Sequence, residues 1–537
     1  MLDRDEASHR PVPSFDVPRP MKFAAAIDNA TGLNRLLDAL GDPKRRGRTT
    51  AMLLVLYCAV WTLYAVLAKL SQDIHFDMGE MVSWSREVTL GTPKHPPLPA
   101  WLVRAWFSVF PLADWSYYLF AILLATAALW IAWKASAPYL DGEKRVLGLA
   151  LLTLVPFYNF HALKFNANTI MTPLWALTTW WFLRSYETRR AGYAVLAGLA
   201  AAAAMLGKYW SIVLLLGLGL AALADPRRAA YLRSAAPWLT IAAGIVGLAP
   251  HLAWLYANHF TPFDYAMESH AATAWAALRS GLGYVLGAGG YLAVPALVAA
   301  VAARPRWSAI ADTVWPRQAE RRLVVMAFGL PLLLPMAAAL AAREEVVSLW
   351  AIGGMTLFPV VLLSSPQVTI PRADARRILA LALAAPIVAL ALSPALAIII
   401  HRRGVPNHAT HYRLLAQAVE KVWGETTATP LRLIGSGDNL VDGTLIYFSG
   451  APSTLEITNP AVTPWADDAR VAREGIALFC AVDEPRCINA MNARAARGAP
   501  GQHVEVELSR SYFGTADAPE RFVIVTVPPL SSGSGPP

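Results

Sequence analysis

Two carboxylates, Asp77 and Glu80, open the segment D-M-G-E-M-V-S-W-S-R-E-V-T-L-G-T-P-K-H-P-P-L, residues 77–98. Their spacing puts both on one face of a helix. A carboxylate just outside a membrane can act as a general base, or it could bind a divalent metal. Lys94 and His95 follow, held before Pro96 and Pro97. A Pro-Pro step excludes helix and presents both side chains from an extended turn. His95 could instead cap the amphipathic stretch Trp101–Phe110, which is too short to span a bilayer and is expected to lie along its surface. Asp73 and Glu87 lie nearby and are expected in solvent, with Asp73 able to stand in for Asp77.

Further polar groups stand at the ends of apolar runs: His161, Lys164, Asn166 and Asn168; Lys208 and Tyr209; His251, Asn258 and His259; Asp264, Glu268 and His270. A lysine can neutralise a phosphate as a point charge. Singly, each lysine reads as a snorkelling interface residue. Lys164, Asn168, Lys208, Tyr209 and His251 are, with Lys94 and His95, the candidates for substrate binding. Cys480 and Cys487 could form a bridge. No histidine or cysteine cluster with zinc-ligand spacing accompanies them. No glycine-rich phosphate loop, metalloprotease motif or serine-nucleophile elbow is present.

These residues need a membrane scaffold, and the composition supplies one. The 537 residues are 56% hydrophobic and 15% charged, with a mean hydropathy of +0.40. Soluble domains carry about 25% charged residues. Eleven apolar runs fall near 50–70, 116–137, 146–162, 168–184, 191–207, 210–224, 235–257, 281–303, 323–342, 346–365 and 378–400. Lys and Arg concentrate in the tail before residue 50 and in alternate connections, so the net charge of +9 reflects membrane orientation rather than nucleic-acid binding. The rule predicts a cytoplasmic N-terminus. It places the 71–115 loop, the turns near Lys164 and Lys208, the 258–280 loop and everything after residue 400 on the outer face.

The expected organisation is a cytoplasmic tail at 1–49, a transmembrane domain at 50–400 with its chemistry in loop 71–115, an exported domain at 401–527 and a disordered tail at 528–537. No secretory signal precedes the first run, and Met21–Leu40 reads as an amphipathic helix. In the exported domain, Leu431–Gly435 and Arg521–Val527 read as strands and Tyr412–Val422 as a helix, hence a small α/β or α+β unit.

An acidic pair after the first membrane helix, an interfacial helix, then His95-Pro-Pro-Leu98 and a second interfacial helix resembles the GT-C membrane glycosyltransferases. Within them the chain is similar to the glycosyltransferase family 39/83 group. That group includes protein O-mannosyltransferases, the lipid A aminoarabinose transferase and the rhizobial core/lipid A galacturonosyltransferases. Residues Lys164–Trp175 and the Gly207-Lys208-Tyr209 step also resemble its bacterial branch. The resemblance implies a GT-C fold of about eleven membrane helices and transfer of a sugar from a polyprenyl-phosphate donor, with inversion, on the periplasmic face of a bacterial inner membrane. It implies a lipid A, core or other envelope glycan as acceptor, an acidic residue of the first outward loop as base, and lysines holding the donor phosphate. Many such enzymes carry adjacent Asp-Glu, whereas this chain has Gly79-Glu80 with the aspartate displaced to Asp77.

The competing reading is a transporter or flippase of lipid-linked sugars. A transporter is expected to hold its polar groups near the midplane on broken helices. Here they gather at one interface, which favours the enzyme. A scaffold or sensor would leave the Asp77–Leu98 cluster without a use.

Overall fold

The computed structural model describes residues 31–270, 272–498 and 501–530. The first half of the predicted Met21–Leu40 helix lies outside them. Its second half is α1 (Thr31–Gly41), which buries Leu37 and Leu40.

The first long apolar helix is α2 (Arg46–Ala68), and it turns Tyr57, Trp61 and Tyr64 inward. Two short helices, α3 (Phe76–Arg86) and α4 (Leu98–Phe107), occupy the loop that follows. The chain continues through α5 (Asp114–Ala135), α6 (Gly142–Thr153), α7 (Met171–Thr188), α8 (Ala191–Gly207), α9 (Ile212–Ala224) and α10 (Arg228–Leu232). Next come α11 (Ala236–Ala257), α12 (Thr261–His270), α13 (Ala274–Ala303), α14 (Trp307–Val314) and α15 (Ala319–Ala342). A 3-10 stretch, Ser348–Leu357, runs into α16 (Phe358–Leu363), and α17 (Arg372–Arg403) ends the helical part.

All eleven predicted apolar runs fall on helical segments, but they are not eleven equivalent spans. Six helices among the described residues are long and apolar enough to cross a membrane: α2, α5, α11, α13, α15 and α17. The run predicted at 146–162 is bent by 79°. Pro156 lacks the N–H that would continue α6, and the Asn159 amide caps the freed Thr153 carbonyl at 2.9 Å. The bend redirects the chain into Lys164 and Asn166. The run at 346–365 is likewise no single α-helix. Gly353 lies so close to Trp175 that an added Cβ would stand 2.7 Å from its ring.

After α17 comes the expected second domain. Its helices are α18 (Tyr412–Thr426), α19 (Asp438–Leu445), α20 (Asp468–Glu474) and α21 (Pro485–Ala495). Its main sheet has the order β2-β1-β3-β7-β4, comprising β1 (Leu433–Ser436), β2 (Ser453–Glu456), β3 (Ile476–Ala481), β4 (His503–Leu508) and β7 (Glu520–Val527). Strands β1, β2 and β3 are parallel, while β7 pairs antiparallel with β3 and β4. A small hairpin, β5 (Ser511–Tyr512) and β6 (Thr515–Ala516), projects beside it. Cys480 on β3 and Cys487 on α21 form a disulfide.

Within the expected tail at 528–537, Leu530 donates its N–H to the Ala472 carbonyl at 2.9 Å; residues 531–537 lie outside the described residues.

The α/β domain is clamped onto the loop that follows α2. Asp73 is buried, accepting from Arg510 at 3.0 Å and from the Arg413 backbone at 3.0 Å. Glu87 accepts from Ser453 at 2.9 Å and pairs with Arg470 at 3.4 Å. Asp73 is buried and Glu87 is half-buried in ion pairing, which corrects the expectation that both lie in solvent. Asp73 joins the two domains through Arg510 and the Arg413 N–H. Isolated buried charges are costly, so each is matched across this interface.

Candidate active site

Asp77 sits in the first turn of α3, where a negative charge is favoured by the helix dipole. Its Oδ2 accepts from Lys164 Nζ at 2.9 Å and from Asn166 Nδ2 at 2.7 Å. His75 Nδ1 lies 3.4 Å from Oδ1 and 3.2 Å from the Asp77 backbone N–H. The neutral ring accepts from that N–H, and the protonated ring donates to the carboxylate. Burial alone would raise the Asp77 pKa. The His75 hydrogen bond, the Lys164 charge and the Asn166 amide outweigh it and hold the carboxyl well below the usual range.

Glu80, one turn on, accepts from Lys94 Nζ at 2.8 Å. The Pro-Pro turn has the expected effect. Thr92 and His95 close it through the Thr92 N–H to the His95 carbonyl at 3.1 Å, and the His95 N–H donates to Thr92 Oγ1 at 3.0 Å. That aims Lys94 at Glu80. His95 does not cap α4, whose N-cap is Pro97 without a side-chain bond. Its ring packs edge-on against Trp84, with centroids 5.4 Å apart.

Lys208 stands in the turn between α8 and α9. It donates to Asn168 Oδ1 and lies 4.9 Å from the Trp350 ring centroid. Enclosure pulls its ammonium down to about 7, and the charge of Asp77 pulls it partly back. Asp77, Lys164, Asn166, Asn168 and Lys208 are therefore one electrostatically connected group, drawn from α3, the bend after α6 and the α8–α9 turn.

Tyr209 and His251 form a separate cluster. Tyr209 Oη and His251 Nε2 are 3.0 Å apart, and His251 Nδ1 is 2.6 Å from the Leu90 carbonyl. A carbonyl only accepts, so Nδ1 carries the proton and Nε2 accepts from the tyrosine. Both ring nitrogens are thus engaged, Nε2 by Tyr209 and Nδ1 by the 89–91 loop, which the ring positions. Gly91 lets the loop approach, since an added Cβ would stand 2.4 Å from Trp254.

The spacing of the acidic pair has a steric cause. A Cβ on Gly79 would lie 1.9 Å from the Asp442 carbonyl oxygen of α19. The α/β domain rests on that backbone, so no side chain fits immediately before Glu80. The second carboxylate instead comes from Asp77, one turn before Glu80.

A cavity of about 470 Å³ lies beside the start of α3, and Lys164, the partner of Asp77, lines it. Lys69, Gln72, Asp73, His75, Lys164 and Arg403 belong to its polar wall, and Phe160, Leu396 and Ile399 to its apolar one. Lys69 bonds to the neutral Gln72 at 3.4 Å, and burial together with Lys164 lowers its pKa. Such a cavity suits an anion on an apolar tail. Lys69, His75 and Arg403 escaped the reading of the sequence. Lys69 and Arg403 end long apolar helices, where snorkelling is the ordinary role, and they are far apart in the chain.

A divalent metal does not suit this donor set. Asp77 Oδ2 already holds Lys164 and Asn166, and Oδ1 faces His75. Among the described residues no three His, Cys, Asp or Glu side chains converge as ligands.

Residues 94–254 match the family model described as dolichyl-phosphate-mannose-protein mannosyltransferase. Two crystal structures of ArnT from Cupriavidus metallidurans share the fold. The one bound to undecaprenyl phosphate has a TM-score of 0.58 at 13% identity, covering 91% of this chain and 99% of that one. The apo structure gives 0.55 at 13% identity with the same coverage. No curated protein matches the sequence significantly. The chain therefore has an ArnT-like GT-C fold with a small C-terminal sheet domain.

Proposed function

We propose that this protein transfers a sugar from a polyprenyl-phosphate donor to a lipid A, core or other envelope glycan acceptor. In this reading the donor phosphate enters the 470 Å³ cavity lined by Lys164. Lys69 and Lys164, with Lys208 behind them, offset its charge as the phosphate leaves. The apolar wall near Leu396 and Ile399 takes the first prenyl units. The neighbouring protein's bound undecaprenyl phosphate supports this substrate class.

The carboxylates divide the remaining work. Asp77 is too strongly held as an anion to be an efficient proton acceptor. It orients the acceptor hydroxyl and stabilises positive charge developing on the sugar. Glu80 receives the proton, with Lys94 setting its rotamer. Attack opposite the departing phosphate inverts the anomeric centre. The supporting observation is a cavity with apolar residues on one wall and Lys69, Lys164 and Arg403 on the other, in which Lys164 also holds Asp77 at 2.9 Å. The Lys and Arg distribution, together with a disulfide suited to an oxidising compartment, supports a periplasmic site with the N-terminus in the cytoplasm.

The test is transfer from a radiolabelled undecaprenyl-phosphate sugar to extracted envelope lipids by the purified protein. Asp77→Asn and Glu80→Gln should each abolish transfer while membrane insertion persists. Full activity in both would remove the assignment. A transporter would instead move labelled lipid between leaflets without forming product.

A further inference from the structure

The C-terminal domain holds a second crevice, and its position follows from strand order. The chain leaves β1, passes through α19 and returns as β2 on one side. It then crosses to β3 on the other side of β1. The connections after β1 and β3 diverge, leaving an opening at the carboxyl ends of parallel strands, where α/β domains bind ligands.

Here the opening is a crevice of about 360 Å³. Gly437 follows β1, Asn439 lies on α19, Thr458 follows β2, and Glu484 and Arg486 follow β3. His408, from the linker after α17, closes one side. It is held between Glu520 at 2.5 Å and Glu484 at 3.4 Å. Asn439 and Arg486 make no side-chain hydrogen bond or ion pair among the described residues. Asn407 lines this crevice and also the cavity that Lys164 lines, so the two spaces meet at one residue. Asn407 and His408 both adopt left-handed backbone, at φ 60° and 57°. Two consecutive non-glycine residues in that region are costly and persist only where the surroundings enforce them.

We propose that this crevice binds the saccharide portion of the acceptor and presents its reacting end, past Asn407, to the cavity lined by Lys164. The inference rests on the transferase reading above. The lining holds both donors and acceptors, with Arg486 and Asn439 able to donate and Glu484 able to accept. Sugar hydroxyls, which do both, match it. An acyl chain would strand these groups, and a bare phosphate would meet Glu484. The size is that of a small-ligand pocket. The site would select acceptors by their saccharide, while the membrane cavity reads the donor lipid.

Asn439→Ala and Arg486→Ala lie on the domain surface, away from the carboxylates. In the transfer assay with extracted envelope lipids, the full-length variants should raise the acceptor KM about tenfold or more. Their kcat and their retention of labelled undecaprenyl phosphate should stay within twofold. Unchanged KM in both variants overturns the proposal. A separate measurement reads binding without transfer: saturation-transfer NMR of the detergent-solubilised protein with oligosaccharides released from the same lipids by mild acid. Wild type and Asp77→Asn should give sugar signals that both crevice variants lose. No signal with wild type, or equal signal from all four proteins, overturns the crevice assignment. If these signals follow the prediction while wild type transfers nothing, the transferase reading falls and the saccharide site stands.

Discussion

Gly79→Ala should disable the protein without touching a charged group. The added Cβ would lie 1.9 Å from the Asp442 oxygen and 2.6 Å from its carbonyl carbon. Ordinary carbon–oxygen contacts begin near 3.3 Å, so roughly 1.4 Å must open between α3 and α19. Neither neighbour is a side chain that can swing away. Gly443, beside Asp442, is itself pressed against the Tyr412 ring, which a Cβ would meet at 2.4 Å. Overpacking of this kind costs about 1–3 kcal/mol. That weakens domain docking roughly 5- to 150-fold. A misplacement of about 1 Å costs catalysis on the order of 100-fold. Two assays check this: kcat/KM for transfer, and the rate of tryptic cleavage after Arg402 and Arg403 beside the linker. The variant should lose about 100-fold in the first and cleave faster in the second, with extraction from membranes unchanged. Gly79→Asp, which restores an adjacent Asp-Glu pair, should do no better. Wild-type transfer and proteolysis in Gly79→Ala would refute the claim that domain contact dictates the spacing.

Lys164→Met should raise the Asp77 pKa, because burial stays while a compensating charge goes; the acid limb of the pH–rate profile should move to higher pH. In wild type the folded Asp77 pKa lies below its reference of 3.8. The stability it lends is therefore present above that pH and lost only as pH falls through the lower folded value. His408 shows the opposite sign, raised from 6.5 to about 10 by Glu484 and Glu520, while Glu520 falls from 4.5 to about 2. Protection of the 404–411 linker in hydrogen exchange should therefore be greatest between about pH 4.5 and 6.5. It should decline as pH rises toward 10, and His408→Gln should flatten that decline. A reporter fused after Glu420 should be active only outside the cytoplasm; cytoplasmic activity would reverse the orientation.

Much of the architecture was legible because it depends on local composition. Apolar runs of membrane length must form helices, since lipid leaves backbone groups no other partner. The alternating stretch at 521–527 reads as a strand without a partner in view, and it is β7. The Pro-Pro turn aims Lys94 as the residues imply. The bend after α6 was harder to see, because hydropathy averages across Pro156 and hides a break in direction. Asp73 and Glu87 misled because a carboxylate in a polar loop looks solvated until the domain that covers it is placed. Lys69 and Arg403 were indistinguishable from ordinary helix-end cations.

The sequence by itself determined the membrane class, the segment carrying the acidic pair and the change of material after residue 400. Each rests on patterns within a few tens of residues. Only the tertiary structure decided which carboxylate meets which cation, and that residues 77, 164, 168 and 208 share one site. It alone explained the aspartate at 77 rather than 79, because the reason is the backbone of Asp442, some 360 residues away in the chain. Contact between distant segments depends on how helices bend and domains dock, and no local pattern records it.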